Sequence, residues 1–307
     1  MRILVLGAAA GGGFPQWNCN CPNCRRARAG DPAALPRTQS SIGASADGLR
    51  WALFNASPDL RQQIGANPAL HPRRPGRDSP IAAVVLTSAD IDHVAGLLTL
   101  RESQKFALYA TGRVQAALRD SAVFRVLSPA SVARHEIVLG KPLELCDGEA
   151  APLGLRVVPF AVPGKIALYL EDAAAEGWGT ESGDTIGIEF SAAGGRRAYY
   201  IPACAELAPE TASRIAGADL VLFDGTLWRD DELAAAGVGR KTGRRMGHMS
   251  MAGERGTLAA FAKLGIRRKI AIHMNNTNPV LLADSPEHAA AQEAGWEVAF
   301  DGMELEL

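Results

Sequence analysis

Short apolar runs recur along the chain, and most of them close on a polar residue or a glycine. Ile81–Leu86 is β-branched and too short for a helix, so it reads as a buried strand. Ile3–Leu6, Trp51–Phe54, Phe106–Ala110, Leu155–Val162, Leu220–Phe223 and Lys269–Ile272 read the same way, and Ile186–Phe190 with Ala198–Ile201 forms a hairpin around Gly194-Gly195. A further strand is expected at Glu136–Leu139, with His135 beside it in a structural role. Helices are predicted from Ser57-Pro58 through Ile64, with Ser57 as N-cap, and from Val94, Arg113 and Val123 onward. Two more follow at Met251–Leu264, capped by Ser250 and amphipathic, and from Ser285-Pro286 to about Ala294, which leaves His288 on the surface. Asp31–Ser41 and the proline-rich stretch Asn67–Pro80, with His71 exposed in it, are loops. Interleaved strands and helices give an α/β layered fold, and no Gly-, Ser- or Pro-rich linker divides residues 1–307, so one domain is expected.

The ends of the strands carry the chemistry. After Leu86 come Ser88, Asp90, Asp92 and His93; after Phe223 comes Asp224; after Ile272 comes His273. In open α/β sheets ligands gather at the carboxyl ends of strands, and two carboxylates plus an imidazole within four residues are hard to explain by packing. Asp90, Asp92, His93, Asp224 and His273 are therefore candidate metal ligands; helix capping is the competing role for Asp90 or Asp92 alone.

Cys19, Cys21 and Cys24 crowd into six residues, too close for sensible disulfide pairing, and are expected to hold a structural zinc ion. The fourth ligand is not local, and Asn276 reaches the cluster if its loop doubles back. Cys146 and Cys204 sit in apolar surroundings and are assigned to the core. The most basic stretch is Gly239–Ser250, where Arg240, Lys241, Arg244 and Arg245 precede His248. Such a loop suits an anionic substrate and a mobile proton, although a solvated charge run is an equal alternative for the four cations.

A formal net charge of −1 gives no field for nucleic acid or an anionic membrane, and no run approaches the roughly 20 apolar residues that span a bilayer. The N-terminal run up to Gly7 is short and thinly basic, and reads better as a first strand than as a signal peptide. A small molecule is the expected partner and the cytoplasm the expected location; assembly as a homodimer stays open.

The stretch Thr87-Ser88-Ala89-Asp90-Ile91-Asp92-His93 resembles the metallo-β-lactamase superfamily motif, with Asp92 and His93 matching and Ser88 and Asp90 standing in place of its first two histidines. Pro163-Gly164-Lys165 also lacks the histidine this superfamily usually supplies there, so half of a dinuclear site is missing. Together with Trp17-Asn18-Cys19-Asn20-Cys21-Pro22-Asn23-Cys24 and His273-Met274-Asn275-Asn276-Thr277-Asn278-Pro279, the motif resembles the pyrroloquinoline quinone (PQQ) biosynthesis protein B family, end to end. The resemblance implies an αββα sandwich and a step in making PQQ from a cross-linked Glu-Tyr precursor. It further implies either iron-dependent hydroxylation of the tyrosine-derived ring or, in an older view, a carrier role for PQQ.

The donor set favours one metal. His93 and His273 with Asp92 or Asp224 form the two-imidazole, one-carboxylate set of non-haem iron oxygenases, although manganese or zinc also fits. Asp92 and His248 are the expected catalytic residues; Ser88, Arg240, Lys241, Arg244 and Arg245 are expected to contact substrate. A single-metal hydrolase with His248 as acid is the remaining alternative. The cysteine site is expected to be separable from catalysis, and Ser88 dispensable for metal affinity.

Overall fold

A computed structural model describes residues 1–171 and 181–307. Fourteen strands lie among the described residues. They are β1 (Arg2–Gly7), β2 (Ser41–Ser45), β3 (Trp51–Phe54), β4 (Ile81–Val85), β5 (Phe106–Ala110), β6 (Val132–Glu136), β7 (Leu143–Cys146), β8 (Pro152–Ala161), β9 (Ile186–Ser191), β10 (Ala198–Ile201), β11 (Leu220–Asp224), β12 (Arg268–Ile272), β13 (Trp296–Val298) and β14 (Glu304–Glu306). One sheet runs β14-β1-β2-β3-β4-β5-β6 and the other β13-β12-β11-β10-β9-β8-β7. The helices are α1 (Pro22–Arg28), α2 (Leu60–Ala66), α3 (Ile91–Val94), α4 (Gly112–Asp120), α5 (Pro209–Ile215), α6 (Glu232–Ala235), α7 (Thr257–Phe261) and α8 (Pro286–Glu293).

Strands β3 and β4 are apolar and buried throughout, because each is covered on both faces. Alternate residues serve two cores. Phe54 and Val85 join Phe190 and Tyr200 of the second sheet in the inter-sheet core, where the Phe54 and Phe190 ring centroids are 4.8 Å apart. Leu53 and Val84 face the other way and pack with Leu60 of α2 and Val114 and Leu118 of α4. Sheet against sheet with helices outside is the expected αββα sandwich of the metallo-β-lactamase type.

Parallel pairing sets the site. β3, β4 and β5 run parallel, as do β10, β11, β12 and β13, so their carboxyl ends lie on one edge of each sheet. Isolated bridges Ser88↔Thr185 and Ala9↔Met274 join the two sheets at that edge.

Several predicted boundaries move. The helix after β3 begins at Leu60 with Asp59 at its N-cap, not at Pro58 with Ser57 there; Ser57 is fully buried and its carbonyl abuts Gly96, where any side chain would clash. The helix after β4 starts at Ile91 and takes in Val94, so Asp92 and His93 lie on α3, and Ala95–Leu100 is a tighter 3₁₀ turn. The strand expected at Glu136–Leu139 lies at Val132–Glu136, which puts His135 inside it, stacked on Tyr109 with centroids 4.8 Å apart. The helix expected over Met251–Leu264 shrinks to Thr257–Phe261, since Ser250 bridges to Leu227 and Gly253 takes φ +94°, a turn no helix admits. Cys204 is buried as expected, but Cys146 is only half-buried. His71 and His288 are also half-buried, each with a ring nitrogen within hydrogen-bond distance of a backbone carbonyl, Gly65 at 3.2 Å and Val280 at 2.8 Å.

Candidate metal centre

Three strand ends deliver the predicted residues to one place. β4 leads into Thr87–Asp90 and α3, β11 ends in Asp224, and β12 ends one residue before His273. The donor atoms of Asp92, His93 and His273 lie within 4.8 Å of one another, as do those of Asp224, His248 and His273.

α3 is pinned where it must be. The Ala56 amide donates to the His93 carbonyl at 2.7 Å, and the Gly96 amide donates to the Ala56 carbonyl at 2.8 Å, which fastens the helix to the end of β3. Asn55 receives the Thr87 amide at 2.9 Å and holds the preceding turn. His93 is then oriented by a relay. Its Nδ1 lies 2.8 Å from Ser88 Oγ, and Ser88 Oγ donates to Asp90 Oδ2 at 2.8 Å. With the Ser88 proton directed at Asp90, Nδ1–H donates to Ser88, and this tautomer leaves the Nε2 lone pair free. Among the described residues, Nε2 is buried without a hydrogen-bond partner, a costly state that a cation would relieve.

The second imidazole is held in the same manner. His273 Nδ1 lies 2.9 Å from Thr226 Oγ1, while its Nε2 lies 3.0 Å from Asp92 Oδ2. Two such donors in a buried site need a proton or a cation between them. Burial by itself depresses His273, but the Asp92 carboxylate outweighs it and raises the ring above its ordinary value. Burial likewise disfavours the Asp92 charge, yet the adjacent imidazoles hold that carboxyl below the usual range. His93 is lowered, chiefly by burial, and so stays neutral and fit to ligate. His273 also adopts φ +61°, a left-handed conformation that costs roughly 1–3 kcal/mol in a non-glycine residue and persists only where surroundings over-determine it.

Asp224 has a different occupation. Its Oδ1 accepts the Thr226 amide at 2.9 Å, and its Oδ2 accepts the Cys204 amide at 2.9 Å and stands 2.7 Å from His248 Nδ1. Fully buried and already bonded on both oxygens, Asp224 orients His248.

Asp92, His93, Thr226, His248 and His273 border a cavity of about 620 Å³ lined also by Ile91, Lys165, Leu168, Tyr169, Lys241 and Asn275. Of the predicted substrate contacts, Lys241 is the one that lines it from the basic loop. Arg245 is turned aside, with both guanidinium nitrogens on Glu171 at 2.8 and 3.3 Å, and Arg244 lines a neighbouring hollow beside Asp230 and Arg255. Arg240 lines neither hollow. Ser88, a predicted substrate contact, is fully buried, engaged with His93 and not in the cavity wall. Asp90 reaches the cavity but stands outside the converging donors, its carboxylate taken by Ser88. Sequence reasoning missed Thr226, Lys165, Tyr169 and Asn275. Thr226 was visible as the polar residue closing Asp224-Gly225-Thr226, whereas Tyr169 gives no local sign of its place in the wall.

A second donor cluster lies nearby. The thiols of Cys19, Cys21 and Cys24 converge within 4.8 Å and are buried. Asn276 faces all three, its amide nitrogen 3.1, 3.7 and 3.3 Å from the Cys19, Cys21 and Cys24 sulfurs. Half a turn of that amide presents Oδ1 as a fourth donor, giving the closed tetrahedral set of structural zinc. Burial pushes the Cys21 thiol up to about 12, while Cys19 is lowered, since bonds from the Cys21 amide, neighbouring thiols and Asn276 outweigh its desolvation. Three sulfurs gathered this closely, facing one side-chain amide, suit a cation that would displace the Cys21 proton.

Comparison with known proteins adds the context. A model of the β-lactamase superfamily domain matches residues 50–274, which include the carboxylate–imidazole centre but not the cysteines. The chain is 55% identical to coenzyme PQQ synthesis protein B of Gluconacetobacter diazotrophicus over 303 residues, covering 99% of this chain and 98% of that one. The Xanthomonas campestris protein of the same name is 53% identical over 307 residues, covering both chains completely. Among solved structures, Zn(2+)-bound PqqB from Methylobacterium extorquens superposes with a TM-score of 0.95 at 53% identity over the whole of both chains. A diphosphatase of the PhnP family, 20% identical with a TM-score of 0.69 over 100% of this chain and 97% of its own, shares the fold.

Proposed function

Because the chain belongs to the coenzyme PQQ synthesis protein B family of the β-lactamase superfamily, we propose that it acts in PQQ biosynthesis as a single-metal oxygenase on the tyrosine-derived ring of a Glu-Tyr precursor. One observation carries this reading: two buried imidazoles and one carboxylate converge, and one of those imidazoles keeps an orphaned nitrogen in the site. That is the ligand set of non-haem iron oxygenases, with positions left over for dioxygen and substrate.

His93, His273 and Asp92 would hold the ion, and iron there would supply the activation of dioxygen. The rest is the work of the chain. Ser88 and Thr226 fix the two ring tautomers so that both Nε2 lone pairs face inward. Asp224 holds His248 by Nδ1, which leaves Nε2 to carry a proton to or from the substrate. Ile91, Leu168 and Tyr169 offer an apolar and aromatic wall for a ring, and Lys241 offers a cation for a carboxylate. The thiol cluster suits a structural zinc.

A carrier role is the second reading, favoured by the same apolar wall, which would hold PQQ without turnover. Protein purified without oxygen and loaded with ferrous iron should consume dioxygen in proportion to a hydroxylated product of a tyrosine-derived substrate. Tight binding of PQQ with no dioxygen uptake would transfer the assignment to the carrier.

A further inference from the structure

His273 and Asn276 are separated by two residues, a reach of about 10 Å at most, yet they serve different clusters. His273 belongs to the carboxylate–imidazole centre, and Asn276 faces the three thiols. We propose that the cysteine cluster is a positioning element of that centre: a metal ion held by Cys19, Cys21, Cys24 and Asn276 fixes residues 273–278 and thereby raises the affinity of the site containing His273. This rests on the reading of that site as a metal centre, and it replaces the expectation that the two are separable.

The contacts form one structure. Asn23, buried between two of the cysteines, donates its amide to the carbonyls of Asn276, Thr277 and Asn278 at 3.2, 3.0 and 3.2 Å. The Cys21 thiol donates to the Asn276 carbonyl at 3.8 Å. The cysteine segment thus grips three consecutive carbonyls of the loop that carries His273. At the other end of the loop, Met274 pairs with the glycine-rich turn, donating to the Ala8 carbonyl at 3.0 Å and accepting the Ala10 amide at 2.8 Å. The Asn275 amide donates to the Thr226 carbonyl at 2.9 Å, and Thr226 is the residue whose hydroxyl holds the His273 ring.

A left-handed histidine needs such over-determination. With the thiols bridged by a cation, residues 19–24 become one rigid anchor for Asn276, and the unfavourable φ at His273 is enforced from both sides. Without the cation, no ion bridges the three sulfurs and the anchor loosens. The loop is then restrained by hydrogen bonds alone, those of Met274 and Asn275 on one side and those of Asn23 and Thr277 on the other. The two sites are coupled, and coupling of binding free energies is reciprocal: emptying either site weakens the other by the same factor, within the usual range of about 5- to 150-fold.

Cobalt(II) is the probe, titrated into full-length protein freed of metal. Near-ultraviolet thiolate charge-transfer absorption reports the cysteine site alone, and calorimetry counts the second site. Asn23→Ala keeps every donor side chain but releases the loop; Asn276→Ala removes a donor; Asn276→Asp keeps an oxygen donor. The expected result is at least tenfold weaker cobalt binding at the nitrogen–oxygen site in Asn23→Ala and Asn276→Ala, with Asn276→Asp within about threefold of the parent. His273→Ala should in turn weaken the thiolate band's titration by a similar factor. Unchanged affinity at the nitrogen–oxygen site, in folded Asn23→Ala or in folded protein whose thiolate site is weakened, overturns the coupling. Should Asn276→Ala fail to fold, Asn23→Ala decides alone. Parent protein that binds cobalt only at the thiols overturns the coupling and the reading of the centre together.

Discussion

His248 Nδ1 stands 2.7 Å from Asp224 Oδ2, and that same oxygen also accepts the amide of Cys204. A carboxylate committed in this way orients a base more readily than it binds an ion. Asp224→Asn is therefore expected to retain its metal while kcat falls about ten- to a hundredfold, because an amide cannot accept from Thr226, Cys204 and His248 together. His248→Ala should cost more, about 10²- to 10⁴-fold in kcat, again with metal retained. Metal content and kcat measured on the same samples make the check. An Asp224→Asn protein that loses its ion but keeps full activity per bound ion would make Asp224 a ligand after all.

Ser88 contradicts its expected role in an informative way. Buried between His93 and Asp90, it fixes which ring nitrogen of His93 is free. Loss of such a partner typically costs about 10- to 100-fold in metal affinity, so Ser88→Ala should weaken binding by that factor and leave KM per loaded site unchanged. Competition with a chromogenic chelator measures the first, and steady-state kinetics the second. A rise in KM with unaltered metal affinity would restore Ser88 to substrate contact.

The strand ends were legible because a buried strand must stop before its polar residues, and the parallel order of β3, β4 and β5 and of β11 and β12 then brings Asp92, His93, Asp224 and His273 together. The cysteine triplet was legible from spacing alone. What could not be read was the division of labour within each group. Ser88 and Asp90 differ from Asp92 in lying on the turn before α3 rather than on the helix, and that turn is held by Asn55, distant in sequence, while Gly96 packs α3 against Ala56 and Ser57. The basic loop misled for a similar reason. Four cations in six residues look alike in a string, but Glu171 draws Arg245 away while Lys241 reaches the cavity.

That separation is testable. Glu171 is held down to about 2, first by hydrogen bonds from Arg245 and then by those from Lys165, against the cost of its burial. Its contribution to stability is therefore present above its ordinary value of 4.5 and is lost as pH falls through about 2. Arg245→Ala should lower Tm at neutral pH, with the difference from the parent shrinking in strong acid, and should leave KM nearly unchanged. Lys241→Ala should do the opposite, leaving Tm alone and raising KM for a carboxylate-bearing substrate about three- to tenfold, more at low salt than at high. Thermal melts and kinetics at two ionic strengths distinguish them; a KM effect from Arg245 alone would show that the Glu171 pair opens for substrate.

Glu232 gives the fold a pH dependence of opposite sign. Burial pushes its carboxyl from 4.5 up to about 7, and the Thr277 hydroxyl at 2.6 Å and the Trp228 amide at 2.7 Å only partly offset that. The folded protein therefore binds a proton that the unfolded chain has released between these values. Stability from this group is full below about 4.5 and is lost as pH rises through about 7, a change on the order of 3 kcal/mol. Glutamine copies the protonated form, since its amide can donate to Thr277 Oγ1 while its oxygen keeps the Trp228 amide. Glu232→Gln should match the parent near pH 4.5, exceed its stability above pH 7, and flatten the slope between, as read from urea midpoints across that range. Parallel slopes for parent and variant would mean that Glu232 is ionised in the fold at pH 5, its charge carried by Thr277 and the Trp228 and Arg229 amides rather than neutralised by a proton.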